Sequence, residues 1–299
     1  MDEQTAGIVS ANQAEPTAGS VAFEFVKALA ADVSAGRVEI PSFPDVAVRV
    51  RQALAEDDVT AAMMSRVITA EPALSARILH LANSAALNPG RKPITSLQSA
   101  VSRVGFNVVR LAAISFAIAQ VRQNAELKGL QSQLDALWES STTTAATAFA
   151  IARRLKIGNA DEALLAGLLC GIGRLYILVK SRSFPALFDS PEVYAEIVES
   201  WHAEVARAIL ENWGIPEVVV DAVHRHQDLD YEHEGATDLV DTLIVANIVA
   251  QADLRGESAD EALGSVAAAR RMQLGADDWR NLLLAAHDEV REMKAALGA

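Results

Sequence analysis

Six histidines, one cysteine, a Gly-x-Gly run and one arginine are the residues of this chain whose types could do chemistry. No two of His80, His202, His224, His226, His233 and His287 stand at the four-residue spacing that places both imidazoles of an HExxH zinc site on one helical face. His224 and His226 point to separated faces if "PEVVVDAVHRH" is helical. Metal binding therefore has no local support, and the histidines read mostly as surface or capping residues. Cys170 lies among Leu168, Leu169 and Ile172 with nothing adjacent to lower its pKa, so it reads as a buried structural thiol. Gly171 and Gly173 lack the preceding strand and the remaining residues of a phosphate-binding loop. Gly167 and Gly171 are four apart, a spacing that lets a neighbouring helix approach closely. Arg174 could meet an anion or stand in solvent. The hydroxyls of "STTTAAT" could bond back to helix carbonyls.

The elements that must position these groups are helices. "FEFVKALAADVSAG" ends at Gly36, and the Pro-bracketed "IPSFPD" leads into "VAVRVRQALAEDD", with Pro44 in the first turn. Asp58 is the expected cap of "VTAAMMSRVITA", Glu71-Pro72 opens "ALSARILHLANSA", and "NPGRKP" is a turn. Ser96 caps "ITSLQSAVSRVG", which stops at Gly105, and "NVVRLAAISFAIAQVRQ" is a longer buried helix. A polar boundary near Gly129 precedes "LDALWESSTTTAATAFAIARRL", and "DEALLAGLLCGIGRLYIL" is expected to be one buried helix. Residues 1–20 are polar and aperiodic, a tail expected to be disordered. The expected organisation is all-α, with helical subdomains at 21–128 and 129–299. In the last segment, Trp279, Leu282, Leu283, Ala286 and Val290 form an apolar stripe that either packs on the core or pairs with another chain, which leaves a homo-oligomer open.

Composition agrees with a helical globular protein: 51% hydrophobic and 22% charged, but only 5% aromatic. A net charge of −13 opposes non-specific attraction to nucleic acid or anionic lipid. One cysteine excludes an intrachain disulfide and fits a reducing compartment, so a cytoplasmic location is expected. The N-terminus has neither a basic start nor an apolar core, and no stretch is read as a membrane span.

The order of the segments supplies more than their composition. "IPSFPDVAVRVRQAL", "VITAEPALSARILHLANSAAL" and "ITSLQSAVSRVGFNVVRLAA" resemble the HDOD domain, a helical module of bacterial signalling proteins related to HD-superfamily phosphohydrolases, over residues 38 to about 250. The resemblance implies that the second half is an HD-like helical bundle with a degenerate motif. Ser140 stands at the place of the first metal-binding histidine. "AGLLCGIGRL" resembles "AGLLHDIGKL", so Cys170 and Gly171 replace the His-Asp pair, Arg174 replaces lysine, and Gly173 is shared. His202 is retained, His226-Gln227 lies near the usual His-His, and Asn247 replaces the last metal-binding aspartate. An HD phosphohydrolase uses imidazole and carboxylate ligands to hold a divalent metal that activates water. The implied expectation is a non-enzymatic protein without cofactor or metal, acting on signalling partners through the groove between its subdomains or its HD-like faces, with links to cyclic-di-GMP, motility or gene expression. The alternative is a divergent nucleotide-binding protein or phosphohydrolase in which Arg174, His202 and His226 meet a phosphate. With no recognisable receiver, GGDEF or EAL segment, the signal is expected to arrive by association or ligand binding.

Overall fold

Helix starts and stops follow local chemistry along most of the chain. The computed structural model describes residues 18–297 except 37, 41–43, 57, 85, 86 and 89–91. The tail at 1–17, the centre of "IPSFPD" and the "PGR" of the following turn thus lie outside the described residues. Helix α1 (Ala18–Ser34) begins three residues before the expected Val21, and Gly36 beyond it takes the positive φ that suits a helix terminus. In α2 (Asp45–Leu54) Pro44 is the N-cap. In α3 (Ala61–Thr69) the cap is Thr60 rather than Asp58, because the Thr60 hydroxyl accepts the Met63 amide at 3.2 Å. Pro72 opens α4 (Pro72–Ala82) and Ser96 caps α5 (Leu97–Gln123). At Gly105 the φ of +76° breaks α5 into two helical runs, so the expected stop is a kink from which the chain re-enters helix.

The second half contains α6 (Gln131–Leu155), α7 (Ala160–Leu169), α8 (Ile172–Ser181), α9 (Pro191–Asn212), α10 (Glu217–Arg225), α11 (Leu239–Arg255), α12 (Asp260–Ser265), α13 (Ala267–Arg271) and α14 (Ala276–Leu297). The stretch expected to be one helix is two, α7 and α8, joined at Cys170-Gly171. The glycines there serve three close approaches. A Cβ on Gly167 would sit 2.4 Å from the Ala145 Cα, one on Gly171 would sit 2.4 Å from the Ser141 Oγ, and one on Gly173 would sit 1.9 Å from the His202 carbonyl oxygen. The first two face α6 and the third faces α9, so the run sits between two neighbouring helices.

Among the described residues there is no strand, and the fold is all-α. Helices α2 to α5 pack on one another, α6 packs against α7, α11 and α14, and α8 to α11 pack in sequence through α9 and α10. The two groups share one continuous apolar core through α5 and α7. Helix α1 leaves its sequence neighbours and lies on α9, with the Tyr176 hydroxyl donating to Asp32 at 2.6 Å and Lys180 paired to the same carboxylate. In α14, Trp279 and Ala286 are buried against the core and Glu289 binds Arg153 and Arg154 of α6. Two helical stretches, Leu97–Gln123 and Ala160–Ser181, do reach the length and hydropathy of a membrane span, contrary to the sequence expectation; 67% and 83% of their apolar windows are buried in the protein's own core.

Candidate functional site

Five stretches meet around a cavity of about 580 Å³, within the size range of small-molecule sites, with α9 contributing Tyr194 and Val198. Helix α6 contributes Ser140, Ser141 and Thr144; the α7–α8 junction and the first turn of α8 contribute Cys170, Gly171 and Arg174. His226 and Gln227 follow the end of α10, where His226 is the C-cap. Asn247, Gln251 and Arg255 come from α11, where their four-residue spacing forms a polar stripe on an otherwise apolar helix. Six of the seven positions singled out from sequence, Ser140, Cys170, Gly171, Arg174, His226 and Asn247, line this one cavity. The seventh, His202 on α9, lies behind the wall with its ring centroid 5.7 Å from that of His226.

The two buried imidazoles depart from the expectation that the histidines are surface or capping groups; His226 is a cap and buried at once, because α10 ends inside the core. His226 Nδ1 donates to the Val223 carbonyl at 2.7 Å, which fixes its tautomer. His202 Nδ1 is buried without a hydrogen-bond partner among the described residues. Burial first, then the nearby Arg174 and His226, push His202 down to about 4. Burial likewise pushes His226 down to about 4, against the opposing bond to Val223. Burial drives the Cys170 thiol upward, so it is a protonated donor, its Sγ 3.4 Å from the Ala166 carbonyl.

A pH dependence follows. Both folded values lie below the ordinary histidine value of about 6.5, so between there and pH 4 the unfolded chain binds more protons and stability rises with pH. Acidification from pH 7 to 4.5 is expected to cost the pair on the order of 5 kcal/mol. Urea unfolding at the two pH values measures this, and His226→Gln is expected to remove about half of that slope.

Polar partners fill much of the wall. Arg174 Nη2 donates to Glu199 Oε2 and to Gln227 Oε1, both at 3.1 Å, and Gln251 Nε2 donates to Ser140 Oγ at 2.7 Å. Thr142 bonds back to the Trp138 carbonyl at 2.8 Å, as read from sequence, whereas Thr143 Oγ1 is buried without a hydrogen-bond partner among the described residues. None of the described residues lining the cavity is Asp or Glu. The nearby Glu199 has a side chain 68% exposed and is held by Arg174.

These donors do not fit a hard divalent ion. Mg²⁺ and Mn²⁺ prefer carboxylate oxygens. The wall offers one imidazole at His226, an amide at Asn247, no side chain at Gly171, a protonated thiol and a hydroxyl already engaged by Gln251, and no carboxylate among the described residues. Sequence reading missed Gln227 as a partner of Arg174, and missed Gln251 and Arg255. The signal for the last two was the Asn247, Gln251, Arg255 spacing.

A second titratable cluster, also missed, lies away from the cavity. His233, Asp238 and Asp241 hold ligand-type atoms within 4.8 Å of one another. Arg271 occupies the Asp241 carboxylate from Nε at 3.0 Å and again through Nη2, which makes the cluster an ion-pair anchor between α11 and α13.

Comparison with known proteins now decides the family. The HDOD domain matches residues 40–229. The chain belongs to the HDOD domain family. The HDOD match contains most of the segments that carried the resemblance, together with every cavity residue named above except those of α11. An uncharacterized protein of Treponema pallidum (strain Nichols) is 25% identical over 234 residues, 74% of this chain and 44% of that relative, so the chain spans less than half of the relative's length. A candidate metal-dependent phosphohydrolase from Shewanella amazonensis SB2B has the same fold at TM-score 0.71 and 24% identity, covering 93% of this chain and 99% of the other. An HDOD domain protein of unknown function from Geobacter sulfurreducens aligns at TM-score 0.59 and 24% identity, covering 93% and 96%. A candidate signal transduction protein from Marinobacter aquaeolei VT8 aligns at TM-score 0.57 and 19% identity, covering 95% and 67%.

Proposed function

We propose that this HDOD protein is a non-catalytic component of bacterial signal transduction that works by binding partners, in circuits of the kind linked to cyclic-di-GMP, motility or gene expression. The observation that supports the reading is the wall of the cavity, which holds six of the seven positions that the resemblance assigns to an HD metal site but presents no carboxylate among the described residues. Hydrolysis by a metal-activated water needs an ion to lower the pKa of that water and polarise the phosphoryl oxygen. The donors present do not suit that ion, and no hydrolytic step is assigned.

The same wall favours a second, compatible reading. Arg174 and Arg255, with the amides of Gln133, Gln227, Asn247 and Gln251, give an acidic protein a cavity without anionic side chains among the described lining residues. That chemistry suits a phosphate-bearing ligand such as a nucleotide, bound without metal.

One experiment tests both. Purified protein is incubated with Mg²⁺ or Mn²⁺ and cyclic dinucleotides, (p)ppGpp or a chromogenic phosphodiester. The expected result is no turnover above buffer, with nucleotide binding, where found, weakened by Arg174→Ala. Metal-dependent turnover abolished by His202→Ala or His226→Ala would overturn the non-catalytic reading.

A further inference from the structure

The last helix leaves a groove that the cavity does not explain. It runs between α11, the loop that follows it and α14, encloses about 320 Å³, and has an apolar floor that includes Val249, Ala252 and Leu283. Leu284 lines it while 70% exposed, the most exposed of the chain's large hydrophobic residues among those described. Single exposed apolar residues are ordinary on a protein surface, but an exposed leucine on the wall of an apolar groove extends the surface that the apolar face of a docked helix would cover.

The rim charge selects the occupant. Asp253, Glu257 and Asp260 line the groove against a single guanidinium, Arg280. Arg280 is paired to Asp260 at 3.2 Å and Glu257 accepts from Arg255 at 2.6 Å, while Asp253 forms no ion pair among the described residues. A second copy of this chain, at net charge −13, meets like charge there. The chain's own residues 1–17 carry Asp2, Glu3 and Glu15 and no lysine or arginine, so they are excluded on the same ground. Nearly all of this groove also lies beyond residue 229, where the HDOD match ends; among its lining residues only Thr147 falls inside the match.

We propose that the α11–α14 groove docks a cationic amphipathic helix of a partner protein, apolar side chains against Leu283 and Leu284 and a lysine or arginine at Asp253, the rim carboxylate without an ion pair among the described residues. The inference rests on the reading that the protein acts by binding partners, and it assigns where specificity for one partner resides. Its test reads different groups from the turnover assay, because neither Asp253 nor Leu284 lines the central cavity. Turnover would sink the non-catalytic reading and leave the groove standing; failure here would leave the cavity argument standing.

The probe is a fluorescein-labelled Leu/Lys amphipathic helix, followed by anisotropy against the full chain, with a Leu/Glu helix of the same pattern as control. The Leu/Lys peptide is expected to bind and the Leu/Glu peptide to fail. Leu284→Glu and the charge reversal Asp253→Lys are each expected to weaken binding about tenfold or more, the size of an interface anchor. Leu229→Glu, at an exposed leucine outside the groove, is expected to leave it unchanged. Hydrogen exchange on the wild-type complex should show new protection confined to residues 249–260 and 280–290. Absence of binding, equal binding of both peptides, or protection elsewhere overturns the proposal; circular dichroism confirms that each variant is folded.

Discussion

Gly173→Ala is expected to be the most destabilising glycine-to-alanine change among the described residues. The added Cβ would lie 1.9 Å from the His202 carbonyl oxygen and 3.0 Å from the Ala206 amide nitrogen, both backbone atoms of α9 that no rotamer change can move. Overpacking a core ordinarily costs about 1–3 kcal/mol. A clash with backbone belongs at or beyond the top of that range, so a loss of about 3 kcal/mol or more is expected by urea unfolding, with α8 and α9 forced apart. Gly264→Ala is the control. It sits in α12 with no atom within 4 Å of the added methyl, and the higher helix propensity of alanine should leave stability unchanged or raised by up to about 1 kcal/mol. Equal stability of the Gly173 variant and the wild type would mean that α8 and α9 do not cross as described.

Arg271→Leu is expected to cost about 3 kcal/mol, the lower end of the range for a buried charge that loses a partner, since His233 still faces Asp241. The Asp241 side chain is fully buried and caps α11 from within through a capping box with Asp238. Burial alone would raise its pKa, but the bonds from Arg271 and His233 outweigh burial and hold the carboxyl below its usual range. A carboxylate lowered in this way contributes stability that is complete above its unfolded value of about 3.9 and is lost as pH falls through the folded value. His233 runs the other way. Its Nε2 faces Asp241 at 2.9 Å and its Nδ1 faces the Glu234 carbonyl at 3.1 Å, so the ring is held as a double donor and its pKa is raised. That contribution is complete below about pH 6.5 and lost as pH rises through the raised value. Chemical unfolding at neutral pH reads the deficit. Adding Asp241→Asn to Arg271→Leu should recover part of it, since the uncompensated charge is removed, and no recovery would mean that the cost lies in packing.

How far the sequence foretold the molecule depended on how local each cause was. Ser96 and Pro72 start helices where they were expected to, because a cap and a first-turn proline act within four residues. Asp58 and Thr60 are both competent caps two positions apart, and only the path of the chain selects Thr60. The break at Cys170-Gly171 was not legible: the apolar run suits one helix, whereas the observed junction lies where Gly171 meets Ser141 of α6, a neighbour 30 residues away in the chain. At the candidate site, family resemblance named positions scattered over more than a hundred residues, and six of the seven face one cavity. Spacing alone would not have gathered them. The Arg271–Asp241 anchor escaped for the same reason, since its partners are 30 residues apart with nothing in either segment to pair them.

Manganese binding tests the central claim most directly. The protein is dialysed against Mn²⁺ and bound metal is counted by electron paramagnetic resonance for the wild type and for His226→Ala. The donor set around the cavity predicts no stoichiometric site and identical spectra for the two proteins. One equivalent of tightly bound Mn²⁺ in the wild type, lost in His226→Ala, would show that this HDOD cavity retains a metal centre and would contradict the account.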